Sequence, residues 1–528
     1  MRAALHVLST AKQSCSIAFS FRAWIAREGQ VPERQRLSGT RPVTTAMKRK
    51  EPPAAKQSPA KKKRPDLPEY HVTPMLQDDH GEDIWPAPKD QMKQARDIII
   101  ASAKADENVV ICPDKDADGL TSGVILHRTL QLLGLSPERI KVHLLEKGNA
   151  IHSEAESEKL AKHDPRYIFV LDQGSRRCPP LVDSPETTTL VVDHHFATPD
   201  DFPERSAFVT ACNSPPVATT SLLTYILCSE LHPLVEEQCN WLAIVGTHGD
   251  LGTTLKWSHP FPDMSAPLKL YTKKALNDVV SAVNAPRRTA TYDVLSAWTA
   301  LLTADHPKDV LKHPRLHQAR EEVATEVERC THTAPKFSPD GKIAVFRINS
   351  KCQVHPVIAT RWAGHLNSKA LEIVMVANEG YLEGKVNFSC RIARCARARE
   401  NEVNIIKSLK AYASLPAIGD EDSKDEDSVE GKSDSAPEEQ KKPLLERLGE
   451  DFARGHVQAS GGIVSMDEFE ELLKLMRIGE KSDAQKKREA ERADQAKSPA
   501  KKKAIDTSQK NTLMGYFGTK DKGKVTAS

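Results

Sequence analysis

Four groups of acidic and histidine side chains stand out along the 528-residue chain: Asp114, Asp116 and Asp118 within Asp114-Lys115-Asp116-Ala117-Asp118-Gly119, a lone Asp172, the triplet Asp193-His194-His195, and Asp250. Carboxylates held close together repel one another unless a cation neutralises them. Oxygen donors joined by an imidazole nitrogen suit manganese or magnesium better than zinc in a thiolate cage. In extended backbone alternate residues share a side, so Asp114, Asp116 and Asp118 are expected to converge while Lys115 and Ala117 face away. The first string alone also fits a calcium loop or a capped turn, and a single strand-end Asp fits a helix cap. Four such stations in order favour one metal-binding cleft.

Each station needs an element to hold it. Asp90 to Ala103 reads as a helix, Asn108 to Cys112 as a short buried strand, and Gly119 to Leu133 as the helix after the first acidic string. Tyr167 to Leu171 and Thr189 to Val192 read as strands ending at Asp172 and Asp193, with helices over Val217 to Glu230 and Glu236 to Val245. Apolar strands of four or five residues alternating with helices predict an α/β fold with a parallel sheet covered on both faces. Ligands in such sheets bind at the carboxyl ends of the strands, where these residues lie. A second, smaller α/β region is expected from Ile343 to Phe346, a helix over Val357 to Leu366, and strands near Leu371 to Val376 and Lys385 to Cys390.

The order and spacing of these motifs resemble the DHH phosphoesterase superfamily and, within it, the RecJ-like single-strand nucleases, whose first motif has the form DxDADG. The resemblance implies two divalent metal ions, Mn2+ preferred and Mg2+ possible, sharing Asp172, with Asp114, Asp116, Asp118, His194 and Asp250 as further ligands. Asp193 and His195 would be the catalytic pair that orients ligand or substrate and steadies charge on the phosphoryl group. The family's glycine-rich element of the second domain is matched by Gly455-His456-Val457-Gln458-Ala459-Ser460-Gly461-Gly462, with Arg454 where the leading glycine is expected. The family's Ser and Arg near a strand end are matched by Ser389 and Arg391. Ser389, Arg391, Arg454, Gly455, His456, Gly461 and Gly462 are therefore the expected contacts to substrate phosphate. The match is weak between about 256 and 340.

On this resemblance the chain divides into a disordered basic leader over 1–82, a DHH domain over 83–330, a DHH-associated substrate-binding domain over 341–478, and a disordered basic tail over 479–528. Residues 419–440 form an acidic insert expected to be disordered, Asp420 to Glu439 holding ten acids against two lysines. The net charge of +3 averages this insert against basic ends, which point to anionic partners. Residues 1–46 carry seven Arg or Lys and no acid before Glu28, resembling a mitochondrial presequence if Met1 is the start, whereas a start at Met47 gives a shorter protein. Lys48-Arg49-Lys50 and Lys61-Lys62-Lys63-Arg64 flank a Pro/Ala spacer as in a bipartite nuclear signal. The string SPAKKK occurs at Ser58 to Lys63 and again at Ser498 to Lys503, each resembling a proline-directed kinase site.

In the tail, Leu513, Tyr516 and Phe517 of Lys510 to Phe517 resemble a motif that docks on the replication sliding clamp. No apolar run approaches the roughly 18–20 residues of a membrane span. Ten cysteines without a CxxC pair indicate neither a zinc site nor a disulfide framework, and Cys112 is expected as a small buried hydrophobe. The sequence thus predicts a RecJ-like nuclease acting on single-stranded nucleic acid in nuclear replication or repair. The alternatives are a phosphoesterase for oligonucleotides or small molecules and a catalytically inactive replication scaffold.

Overall fold

The computed structural model describes residues 73–397, 399, 402–416, 442–449, 452–481 and 486–487, and only the backbone of Arg454–His456. The leader to residue 72, the acidic insert and the tail with Leu513, Tyr516 and Phe517 lie outside the described residues. No helix among the described residues is long and apolar enough to cross a membrane.

The first sheet contains β1 (Val109–Pro113), β2 (Ile140–Val142), β3 (Tyr167–Leu171), β4 (Thr188–Asp193) and β5 (Ser206–Thr210), in the order β2-β1-β3-β4-β5 and parallel throughout. Every residue of β1 and β3 is buried, as expected of strands covered on both faces. Helices α1 (Lys89–Ala105), α2 (Ala117–Leu132), α3 (Glu154–Ala161), α4 (Thr220–Ser229) and α5 (Leu234–Asp250) accompany it, with α2, α4 and α5 packed on one another. Trp241 to Val245 of α5 are all fully buried in that core, each larger side chain contributing roughly 1.5–3 kcal/mol of apolar burial. Chain order reverses about β1, which has β2 on one side and β3 on the other. The crevice at this switch point lies between the strand ends that lead into Asp114 and Asp172.

The stretch that matches the resemblance weakly is helical: α6 (Ser265–Tyr271), α7 (Lys273–Asn284), a 3-10 turn over Pro286–Arg288, α8 (Val294–Leu302), α9 (Pro307–Val310) and α10 (Pro314–Thr331). The second sheet then comprises β6 (Lys336–Phe337), β7 (Ile343–Ile348), α11 (His355–His365), β8 (Ile373–Leu382), β9 (Lys385–Ile392), α12 (Ile405–Ala413), α13 (Leu444–Arg447), β10 (Arg454–His456), β11 (Ala459–Ser465) and α14 (Met466–Leu475), taking helices and strands in chain order. Its strand order is β10-β11-β9-β8-β7-β6, and only β7 and β8 run parallel. The α/β class is as expected.

Helix α10 packs on both sides: Leu316 is buried in the first sheet's core, while Val323, Val327 and Cys330 of the same helix are buried in the second's.

Two local expectations change. The helix after the first acidic string begins at Ala117 rather than Gly119, because the Asp116 carboxylate caps it by accepting from the amides of Asp118 and Gly119 at 3.1 and 3.4 Å. Alternation therefore fails beyond Asp116, and Lys115 does not face away: its Nζ lies 3.2 Å from Asp114 Oδ1. Likewise α5 runs on past Val245 and ends at Asp250 itself, so this carboxylate projects from a last helical turn.

Candidate metal centre

Backbone geometry carries the acids into the crevice. Asp114 continues β1, its amide donating to the Leu171 carbonyl at 2.9 Å, and Asp172 continues β3, its amide donating to the Val192 carbonyl at 3.0 Å. Asp172 has φ 63°, a left-handed conformation uncommon for a residue with a side chain. Such strain costs on the order of 1–3 kcal/mol and persists only where the surroundings enforce it. Thr220 Oγ1 donates to the Asp172 carboxylate at 3.0 Å, and the amides of Thr220 and Ser221, at the start of α4, donate to that of Asp118 at 2.8 and 3.0 Å. The positive end of α4 thus steadies Asp118 as an anion.

Donor atoms from these stations gather in three overlapping groups: Asp114, Asp116 and Asp172; Asp172, His194 and His195; and Asp118, His194 and Asp250. Asp172 belongs to the first two and His194 to the last two, so the cluster is continuous. All six expected metal ligands are therefore brought together, and the first-motif acids divide, Asp114 and Asp116 from Asp118.

The electrostatics fit a cation. Burial, then the nearby Asp250, raises the Asp118 carboxyl to about 6, against the opposing effect of His194. Burial, then Asp118, raises Asp172 well above the usual carboxylate range. His194 Nε2 is buried and stands 3.2, 3.3 and 3.9 Å from oxygens of Asp250, Asp172 and Asp118. Burial disfavours its charged form, but the carboxylates outweigh burial and hold it well above the ordinary histidine value. A buried imidazole nitrogen facing mutually repelling carboxylates is the donor set a divalent ion requires.

Because an ion must displace protons from Asp118, Asp172 and His194, apparent Mn2+ affinity is expected to fall about tenfold or more per pH unit below about 6. Titration calorimetry in buffers of different ionisation enthalpy would register the released protons, and an affinity independent of pH between 5 and 7 would contradict this donor set.

Asp193 and His195 form a hydrogen-bonded pair, and His195 also offers a donor nitrogen to the group with Asp172 and His194. Asp193 Oδ1 accepts from His195 Nδ1 at 2.8 Å and from the amides of His194 and His195 at 2.8 and 3.3 Å, and Oδ2 accepts from Ser175 Oγ at 2.6 Å. Burial opposes ionisation, but these hydrogen bonds and the His195 charge prevail and hold Asp193 down to about 2. The pair fixes which His195 nitrogen faces outward, namely Nε2.

A cationic patch adjoins the cluster. Arg287 Nη2 lies 3.7 Å from Asp116 Oδ2 while its Nη1 donates to Gln353 Oε1 at 3.2 Å, so this residue of the 3-10 turn reaches both the first sheet's site and the second sheet's loops. Burial, then Arg287, disfavours the charged form of Arg288, and Asp116 favours it. Arg391 donates to Ser389 Oγ at 3.0 Å, and buried His355, whose Nδ1 has no partner among the described residues, is pushed down to about 3 by burial, then by Arg391 and Arg288.

The structure thus joins the expected Ser389 and Arg391 to Arg287, Arg288 and His355, which the sequence reading did not single out. The Arg-Arg pair directly after Pro286 was the available signal. Gly461 lies in β11 opposite Ser389, where a Cβ would meet the Phe388 carbonyl oxygen at 2.4 Å, so the close approach this glycine permits is to β9. Gly462 follows it opposite Phe388, and Arg454, Gly455 and His456 form the neighbouring strand β10, their side chains outside what is described. Cys112 is fully buried, and burial pushes its thiol far up.

Residues 108–247, which hold the first three stations, match the DHH family, N-terminal domain. Among solved structures, the chain is similar to RecJ in complex with Mn2+ from Thermus thermophilus, with 16% identity, a TM-score of 0.48, and coverage of 74% of this chain and 55% of that one. It therefore spans little more than half the length of that protein. It is also similar to an exonuclease RecJ bound to manganese (16% identity, TM-score 0.47, 73% of this chain and 93% of that) and to the DHH domain of a member of the s1p family of ribosomal proteins (14%, 0.49, 74% and 90%). No curated protein matches the sequence.

Proposed function

We propose that this protein is a metal-dependent phosphodiesterase, a RecJ-like exonuclease that shortens single-stranded DNA in nuclear replication or repair. The observation that carries the reading is the meeting of Asp114, Asp116, Asp118, Asp172, His194 and Asp250 beside the Arg287, Arg288 and Arg391 patch. A phosphodiester needs both: a cation-binding centre for the reacting group, and fixed positive charge for the rest of an anionic chain.

Two divalent ions, preferentially Mn2+, held by those six residues with Asp172 shared, would supply an activated water and neutralise charge on the phosphoryl oxygens. The protein's own groups do the remainder. His195, its Nδ1–H fixed on Asp193, which against the opposing effect of burial favours the imidazolium form, presents Nε2–H as a donor to a phosphoryl oxygen as charge accumulates. Arg391, Ser389 and Arg288 hold a second phosphate and so fix the chain end against the centre. Degradation from 5′ to 3′ follows by resemblance to RecJ. The basic ends of the chain support a nuclear address, or a mitochondrial one for a form begun at Met1, and the tail residues Leu513, Tyr516 and Phe517 support docking on the sliding clamp.

The test is a substrate panel with Mn2+: end-labelled long single-stranded DNA, a dinucleotide and pyrophosphate. Long-strand DNA is expected to be shortened from one end, with binding that weakens steeply between roughly 50 and 200 mM salt. Preference for the dinucleotide would move the assignment to a small-substrate phosphoesterase, and inactivity on all three would leave a scaffold.

A further inference from the structure

The Asp193-His194-His195 triplet is followed by a residue that the chemistry above leaves unused. Phe196 is 84% exposed, more than any other large apolar side chain among the described residues. Scattered exposed apolar side chains are ordinary, so exposure alone says nothing. Position sets this one apart.

On one side of Phe196, His195 is held by both its ring and its amide on Asp193. On the other, Ala197 is 3% exposed within the apolar cluster that includes Val191 and Phe202, and its carbonyl accepts from the Cys212 thiol at 3.5 Å. Fixed neighbours on both sides leave the ring little freedom beyond its own two side-chain torsions. A loop bearing two arginines is tied to the same triplet. Ser175, bound to Asp193, brings the loop with Arg176 and Arg177 alongside the triplet, and Arg176 Nη1 lies 2.7 Å from His152 Nε2. Phe196 adjoins the His195 flank of the centre, whereas Arg287 adjoins the Asp116 flank.

We propose that Phe196 is a stacking platform for the base of the nucleotide whose phosphate is hydrolysed, which makes the site selective for nucleotide esters over phosphoesters without an aromatic group. The inference rests on the phosphodiesterase reading and narrows its substrate class. An exposed ring one residue from His195 can meet a base face on, and any base serves because each has a π-face. Removing one such stack weakens binding by roughly 5- to 150-fold. No core packing is lost, so substitution leaves the fold intact.

The experiment compares single strands with identical sugar-phosphate backbones, one with bases throughout and one abasic at the terminal two positions, using wild-type protein, Phe196→Ala and Phe196→Trp with Mn2+. For the wild type, KM is expected to be at least about fivefold lower on the base-bearing strand. In Phe196→Ala the ratio of the two KM values should fall to near one through a rise confined to the base-bearing strand, and Phe196→Trp should restore it. Equal KM values in the wild type, or a ratio that survives Phe196→Ala, overturn the platform while leaving phosphodiesterase activity standing. Absence of hydrolysis of either strand by the wild type refutes the phosphodiesterase reading and the platform together.

Discussion

Asp172→Asn protein is expected to lose Mn2+-dependent hydrolysis of single-stranded DNA by about 10³-fold or more, at the upper end of what removing one charge-stabilising group costs. Asp172 alone joins the Asp114–Asp116 group to the His194–His195 group, so its loss weakens two sets of donors. The stability readout is independent of turnover. At a hundredfold excess over Kd, bound metal stabilises the folded state by about 2.7 kcal/mol, which raises the wild-type Tm by several degrees. The variant should gain little from Mn2+, yet be at least as stable as the wild type in chelator, because one buried, repelling carboxylate is gone. Unchanged metal-dependent turnover in this variant would sink the assigned centre.

Gly119→Ala should destabilise the fold by roughly 3 kcal/mol and weaken Mn2+ binding together. An added Cβ would stand 2.6 and 2.7 Å from the Asp114 carbonyl oxygen and amide nitrogen. Both are backbone atoms, and moving them displaces Asp114 and the Asp116 cap. Gly123→Ala, one turn further along α2, provides the comparison: its Cβ would meet the edge of the buried Trp298 ring at 2.8 Å and the Pro113 side chain at 3.1 Å, side-chain contacts rather than the Asp114 backbone. Chemical denaturation and Mn2+ titration of the pair should show a larger loss at Gly119 in both measurements. Equal effects would mean that the Asp114 backbone is not the limiting contact.

What could be read from sequence was chemistry with a local signature. Asp172 and Asp193 were legible because each ends a short apolar run, and the observed strands Tyr167–Leu171 and Thr188–Asp193 stop there or one step beyond. The placing of Lys115 failed because alternation assumes extended backbone, and Asp116 instead starts a helix. Arg287 and Arg288 have no spacing that marks them; their value comes from a turn placed against Asp116 and Gln353, residues distant in sequence. Edge strand β5 has only its last two residues buried, and Ser206 begins it with a polar side chain, so it lacks the apolar run that betrayed β3. Gly461 and Gly462 were expected as part of a glycine-rich element at the substrate phosphate, and antiparallel pairing with Ser389 and Phe388 draws them into a strand.

Helix α10 gives Leu316 to one apolar core and Val323, Val327 and Cys330 to the other. Melting that helix would remove packing from both at once. The thermodynamic consequence is coupling: unfolding the helix exposes part of each core together. The acids beside the first sheet and Arg391 on the second thus share one helix as common support, and a change that loosens α10 is expected to be felt at both.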